Sequence, residues 1–130
     1  MRIIYSEYTK YILLLCWTIL IILFSVLDYG HMPVFVKDAI QFKQGYIIHF
    51  CSYFFASFLI WISFNGSLPK RISVNGLLFC LSVGLEVSQL YVPSRAFNPM
   101  DITMNFSGII GFNLLPASIH GWKKVRRSSR

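Results

Sequence analysis

A chain of 130 residues that is 55% hydrophobic, only 13% charged and positive in mean hydropathy is too apolar for a water-soluble domain of this length. The formal net charge of +7 raises nucleic acid as a partner, but most basic residues stand in short segments between apolar runs, without interleaved exposed aromatics. That distribution argues against nucleic acid and for an integral membrane protein whose positive charges orient its helices.

The first apolar run is Tyr11 to Leu27, preceded by Arg2, Lys10, Tyr5 and Tyr8, residues that suit a membrane interface. It is long for a signal-peptide core, and no small-x-small cleavage site follows before Asp28. Cys16 follows Leu15 rather than a small residue, so a lipoprotein site is also a poor match. The run predicts an uncleaved transmembrane helix. Asp28 to Gly45, with Gly30, Pro33, Lys37, Asp38 and Lys43, is too polar to span and is expected to connect, with part of it able to lie along the membrane surface.

The second span runs from about Tyr46 to Phe64. His49 lies one turn inside it, and Tyr53, Ala56 and Ile60 continue the same face at helical spacing. Asn65-Gly-Ser-Leu-Pro reads as a turn, followed by Lys70 and Arg71. A third span covers Ile72 to Val92, and a fourth covers Asp101 to Ile119, interrupted by Asn105, Asn113 and Pro116. The tail with Lys123, Lys124, Arg126, Arg127 and Arg130 reads as a basic cytoplasmic anchor, with a nucleic-acid contact as the weaker alternative. The expectation is an all-α, polytopic membrane protein of one domain, with four transmembrane helices at about 11–27, 46–64, 72–92 and 101–119.

Charge sets the expected orientation. One side of such a bundle holds Arg2, Lys10, Lys70, Arg71 and the five tail residues, nine in all, while the other holds only Lys37, Lys43 and Arg95. Both termini are therefore expected in the cytoplasm. At ~1.5 Å per helical residue, Glu86 then lies roughly 9 Å, Asn105 about 6 Å and His49 about 5 Å below the outer ends of their spans. Arg95 and Asp101 flank the outer turn, so five polar groups from three helices converge on the extracytoplasmic side.

Each has a structural reading beside the functional one. Asn98 can be an N-cap, Pro99 the first helical residue and Asp101 a capping-box acid, a role that does not exclude a second. A single His49 near an interface is more often structural than a ligand. Gln89 and Asn105 can bond across helices, and Arg95 can anchor at the interface. Glu86 fits such a reading least, because an ionised carboxylate at that depth costs on the order of 2 kcal/mol or more unless paired or hydrated. Arg95, His49 and the amides are its expected partners, with Pro93 ending the helix so that the chain can fold back and bring Arg95 toward it. Cys16, Cys51 and Cys80, odd in number and without metal spacing, read as small packing residues.

The ordered set Glu86-x-x-Gln89, Arg95 and Asp101-x-x-x-Asn105-x-x-Gly108, preceded by His49-Phe50-x-x-Tyr53 on an earlier helix, resembles the VanZ-like membrane proteins. The resemblance covers roughly Tyr46 to Gly111, about half of the chain. Many members carry an Asp-Lys pair four and three residues before the histidine, where this chain has Gly45 and Tyr46, so nothing resting on that pair carries over. The resemblance implies a multi-pass protein of the bacterial cytoplasmic (inner) membrane. Through the founding accessory protein of glycopeptide resistance, it also implies a link to teicoplanin-type antibiotic resistance and the cell envelope.

The favoured function is recognition of a membrane lipid or lipid-linked envelope precursor. Arg95 would contact phosphate or carboxylate, and Gln89, Asn105 and Tyr53 would line the binding site. The alternative is an enzyme using Glu86 and His49 as acid and base, with Asp101 as a further candidate, and the third reading is a small proton-coupled transporter. Against catalysis, no Ser or Cys stands at a nucleophile motif. Against transport, no charge lies in the inner half of any span. No cofactor is expected, and no metal site, because the His/Glu/Asp set lacks a recognisable spacing. A homo-oligomer stays open.

Overall fold

The computed structural model of the chain describes the backbone of residues 2–26, 43–92 and 96–128 and the side chains of 8–26, 45–92 and 96–115. Among the described residues the secondary structure is entirely helical: α1 (Arg2–Val26), α2 (Lys43–Ser63), α3 (Leu68–Ser88), a 3₁₀ turn (Gln89–Tyr91) and α4 (Pro99–Ser128). The segments Tyr8–Val26, Gly45–Ser63 and Leu68–Tyr91 are each long and apolar enough to cross a membrane. By length and composition this is a multi-pass membrane protein.

Several helix boundaries differ from the sequence expectation. Helix α2 starts at Lys43, so the end of the polar connection is already helical. Helix α3 starts at Leu68 rather than Ile72. Ser67 is its N-cap, and Pro69, which lacks an N–H, sits where that group would be unsatisfied anyway. The turn before it closes with Ser67 N bonded to Phe64 O at 3.1 Å, and it passes through Gly66 at φ 93°, a left-handed conformation that glycine adopts without penalty. Helix α4 runs on past Pro116 to Ser128, taking Lys123, Lys124, Arg126 and Arg127 into the helix.

The four helices alternate in direction. Trp17 Nε1 donates to Ser52 O at 3.0 Å and Ser63 Oγ to Lys10 O at 3.3 Å, which sets α1 antiparallel to α2. Ser57 Oγ donates to Asn75 Oδ1 at 2.8 Å, and Asn75 Nδ2 to Arg71 O at 2.9 Å, so the buried amide holding α3 to α2 is satisfied. Helices α2 and α4 run parallel and make the most extensive contact in the bundle. Their seam is aromatic, with Phe112 packing edge-on against Phe54, Phe58 and Trp61.

The expected face of α2 is the core face: Tyr53, Ala56 and Ile60 are all buried, together with Ile21, Leu78, Leu85 and Ile109. Helix α1 is peripheral, with only 6% of its span buried. Its Ile12, Leu15, Ile19, Leu23 and Phe24 form an outward apolar surface of the kind that lipid covers. The cysteines correct an expectation. Cys16, Cys51 and Cys80 are all exposed on the outside of the bundle instead of packing within it. A thiol is small and apolar enough to face lipid as readily as a core.

Candidate functional site

One end of the bundle, where α1 and α3 finish and α2 and α4 begin, collects the polar residues. His49 comes from the start of α2, Glu86 from the last turn of α3, Gln89 from the 3₁₀ turn, and Asp101 and Asn105 from the first two turns of α4. Helical spacing aims them inward. On α3, Asn75, Leu78, Ser82, Leu85 and Glu86 are the buried residues, separated by the three- and four-residue steps of one helix face.

His49 is the hub. Its Nδ1 lies 2.9 Å from Asn105 Oδ1 and 3.8 Å from Glu86 Oε1, and its Nε2 lies 3.8 Å from Asp101 Oδ2. Asn105 in turn donates from Nδ2 to Ser82 Oγ at 3.1 Å, and Ser82 shares a side-chain hydrogen bond with Tyr53. Side chains from α2, α3 and α4 thus form one connected polar network, in which Glu86 and Asn105 are each 1% exposed and Ser82 is fully enclosed.

Asp101, in the first turn of α4, lies between the helix cap and His49. Met100 N donates to Asn98 Oδ1 at 3.1 Å, so Asn98 caps α4, and Pro99 is the first helical residue as expected. Asn98 Nδ2 holds Asp101 Oδ1 at 3.3 Å, while the other carboxylate oxygen, Oδ2, faces His49. Asn98 Nδ2 also reaches Tyr46 Oη, at 3.3 Å, and so ties the α4 start to α2.

Beside the network lies a partly open cavity of about 390 Å³, walled mainly by Trp17, Leu20, Ile21 and Phe24 of α1 and by Ile48, Ser52 and Tyr53 of α2. His49 and Gln89 also line it, so the apolar space and the polar network share a boundary. Gln89 is 2% exposed. The volume is in the range of small-molecule sites, about 300–1,000 Å³.

Six of the seven site residues expected from sequence are described, and all six lie at this end of the bundle: His49, Tyr53, Glu86, Gln89, Asp101 and Asn105. Arg95 and its expected pairing with Glu86 lie outside the described residues, as does most of the 28–45 connection. Sequence reasoning missed Ser82, the link between Asn105 and Tyr53. Its signal was its position one turn before Glu86 on the same face. The cavity was also missed, because its walls come from both α1 and α2 and form only when the two helices pack.

No family model matches the chain, and neither a curated protein nor a solved structure does. The functional reading therefore rests on the site itself.

Proposed function

We propose that this protein binds a lipid or lipid-linked component of a bacterial cell envelope. The headgroup meets the network of His49, Glu86, Gln89, Asp101 and Asn105, and the chain lies in the cavity between α1 and α2. The observation that carries this reading is the shared boundary: His49 and Gln89 line a mainly apolar space that Tyr53 also walls. An amphipathic ligand needs such a junction, because burying its apolar part contributes roughly 0.8 kcal/mol per CH₂ while its polar end must keep hydrogen-bonding partners.

The same proposal includes α4 as a fourth span, both termini on the cytoplasmic side, and membership of the VanZ-like family with its envelope and glycopeptide-resistance associations. The distribution of nine basic residues against three supports the orientation. The motif order from His49 to Gly108 supports the family. Arg95 adds the anion contact in this scheme.

A second reading has one observation in its favour: a carboxylate stands 3.8 Å from each ring nitrogen of His49. That is the arrangement of an imidazole positioned for proton transfer, with Glu86 and His49 as acid and base on the bound lipid-linked substrate.

Native mass spectrometry of the protein extracted with its lipids tests the binding reading. A retained lipid mass is expected, together with its loss in Leu20→Trp, which fills the cavity without touching the polar network. A lipid-free wild-type spectrum, or equal retention in Leu20→Trp, would rule out the cavity as the binding site.

A further inference from the structure

His49, Glu86 and Asp101 belong to three different helices, yet each offers a ligand atom within 4.8 Å of the other two. We propose that this triad binds a single divalent transition-metal cation of the zinc or manganese class. The proposal does not depend on lipid binding, since none of its arguments uses the cavity.

The donor set is the first argument. One imidazole and two carboxylates are borderline and hard ligands of the kind that hold Zn²⁺ and Mn²⁺. A neutral imidazole beside two carboxylates carries two negative charges, which one divalent cation balances. Distance is the second argument. Around a cation with bonds of about 2.0–2.2 Å, neighbouring ligand atoms stand about 3.0–3.5 Å apart. The separation of 3.8 Å between His49 Nε2 and Asp101 Oδ2 closes to that value by a small rotation of the Asp101 and His49 side chains, which are 17% and 22% exposed.

The third argument is the tautomer. Asn105 Nδ2 donates to Ser82 Oγ, which leaves Asn105 Oδ1 facing His49 Nδ1 at 2.9 Å, so Nδ1 carries the proton. Nε2 then carries the lone pair, with Asp101 Oδ2 3.8 Å away. Two acceptors so placed repel unless a proton or a cation lies between them. A metal-binding histidine characteristically donates its other N–H to an oxygen acceptor, which here is Asn105, itself fixed by Ser82. Glu86 Oε1 stands 3.8 Å from Nδ1, the protonated nitrogen, so to share the cation with Asp101 its carboxylate must shift toward the Nε2 side of the ring.

The competing occupant is a proton, giving an imidazolium between two acids. To separate the two, the full chain in lipid nanodiscs is stripped with EDTA, titrated with Zn²⁺ or Mn²⁺ and passed through a desalting column, and its metal content is measured. About one equivalent is expected for the wild type, with affinity lower by about tenfold or more in Asp101→Asn at unchanged helix content.

A second readout needs no change at the site. In His31→Gln/His120→Gln, His49 is the remaining imidazole, and Co²⁺ loading should give one paramagnetically shifted imidazole N–H and no thiolate-to-cobalt absorption band. Negligible retained metal, undiminished affinity in a folded Asp101→Asn, or a cobalt spectrum dominated by cysteine thiolate would each overturn the proposal.

Discussion

The carbonyl of Phe50 occupies the space where a side chain on Gly108 would begin: a Cβ there would stand 2.9 Å from Phe54 N and closer still to Phe50 O. These are backbone atoms and cannot swing aside. The absent side chain therefore fixes how near α4 comes to α2. His49 directly precedes Phe50, and Asn105 lies one turn before Gly108, so this contact also sets the 2.9 Å separation of His49 and Asn105. Close approach through glycine is a general device for packing membrane helices.

Gly108→Ala should therefore destabilise the fold by about 1–3 kcal/mol, the usual cost of overpacking, even though alanine favours helix by about 1 kcal/mol over glycine. Gly111→Ala is the control. Its Cβ would meet the Phe50 ring at 3.5 Å, an ordinary contact, and the change should be neutral or slightly stabilising. Unfolding in mixed detergent micelles would compare the two. Equal behaviour would show that the α2–α4 seam is not set by Gly108.

Asn98 and Asp101 should separate the cap from the site. Asn98→Ala removes the acceptor of Met100 N and should cost about 1 kcal/mol in stability. Asp101→Asn leaves that cap in place and can still bond Asn98, so stability should change by less than about 1 kcal/mol. Lipid retention, by contrast, should fall in Asp101→Asn, because His49 Nε2 then faces a neutral amide instead of a carboxylate. Wild-type lipid retention in Asp101→Asn would return the residue to a purely structural role.

Ser82 should matter more than its size suggests. Ser82→Ala deprives the buried Asn105 amide of its acceptor, at an expected cost of about 1–3 kcal/mol. Ser107→Ala removes only a hydrogen bond to Thr103 O within α4, at the helix surface, and should stay within about 0.5 kcal/mol. Thermal unfolding of the two variants in the same detergent would test this, and comparable losses would remove Ser82 from the network.

These residues also show what the sequence could convey. The helical class, three spans and the inward face of α2 followed from hydropathy and from the spacing of His49, Tyr53, Ala56 and Ile60, because a helix lays these on one side. The start of α4 followed from Asn98 and Pro99, whose local chemistry marks a helix beginning. Distances between helices did not follow. No spacing rule brings His49, Glu86 and Asp101 together, since their ligand atoms meet only after three helices pack, and so no metal signature was expected. The outward cysteines were misread because burial and lipid exposure favour the same apolar residue types. Ser82 was passed over because a serine in a membrane helix usually satisfies itself on its own backbone.

The orientation has a direct test. With Cys16, Cys51 and Cys80 replaced by serine, Ser94→Cys should react with an impermeant thiol reagent added to intact cells, because the basic residues divide nine to three in favour of cytoplasmic termini. The three native thiols are exposed on the helices, so their removal should disturb the core little. Labelling only after the membrane is opened would invert the proposed topology and place the His49 network on the inner side.

Glu86 and Arg95 provide the last prediction. Nine residues separate them, about 13 Å along a straight helix, so they can meet only if the chain turns back. Helix α3 ends at Ser88, the 3₁₀ turn tightens through Tyr91, and Val92 is already extended at φ −103° and ψ 115°, so the helical path has ended before Pro93. An arginine returning from that turn can lay its stem on apolar neighbours and bring its guanidinium toward the buried Glu86. Glu86→Gln should then leave a cation without its acid, and Arg95→Gln a buried acid without its cation. Each single change should be more destabilising than the two combined, with a coupling of about 0.5–3 kcal/mol in a double-mutant cycle. A cycle that closes to zero would show the pair to be independent, and the charge balance of the pocket would then fall to His49 and its neighbouring carboxylates.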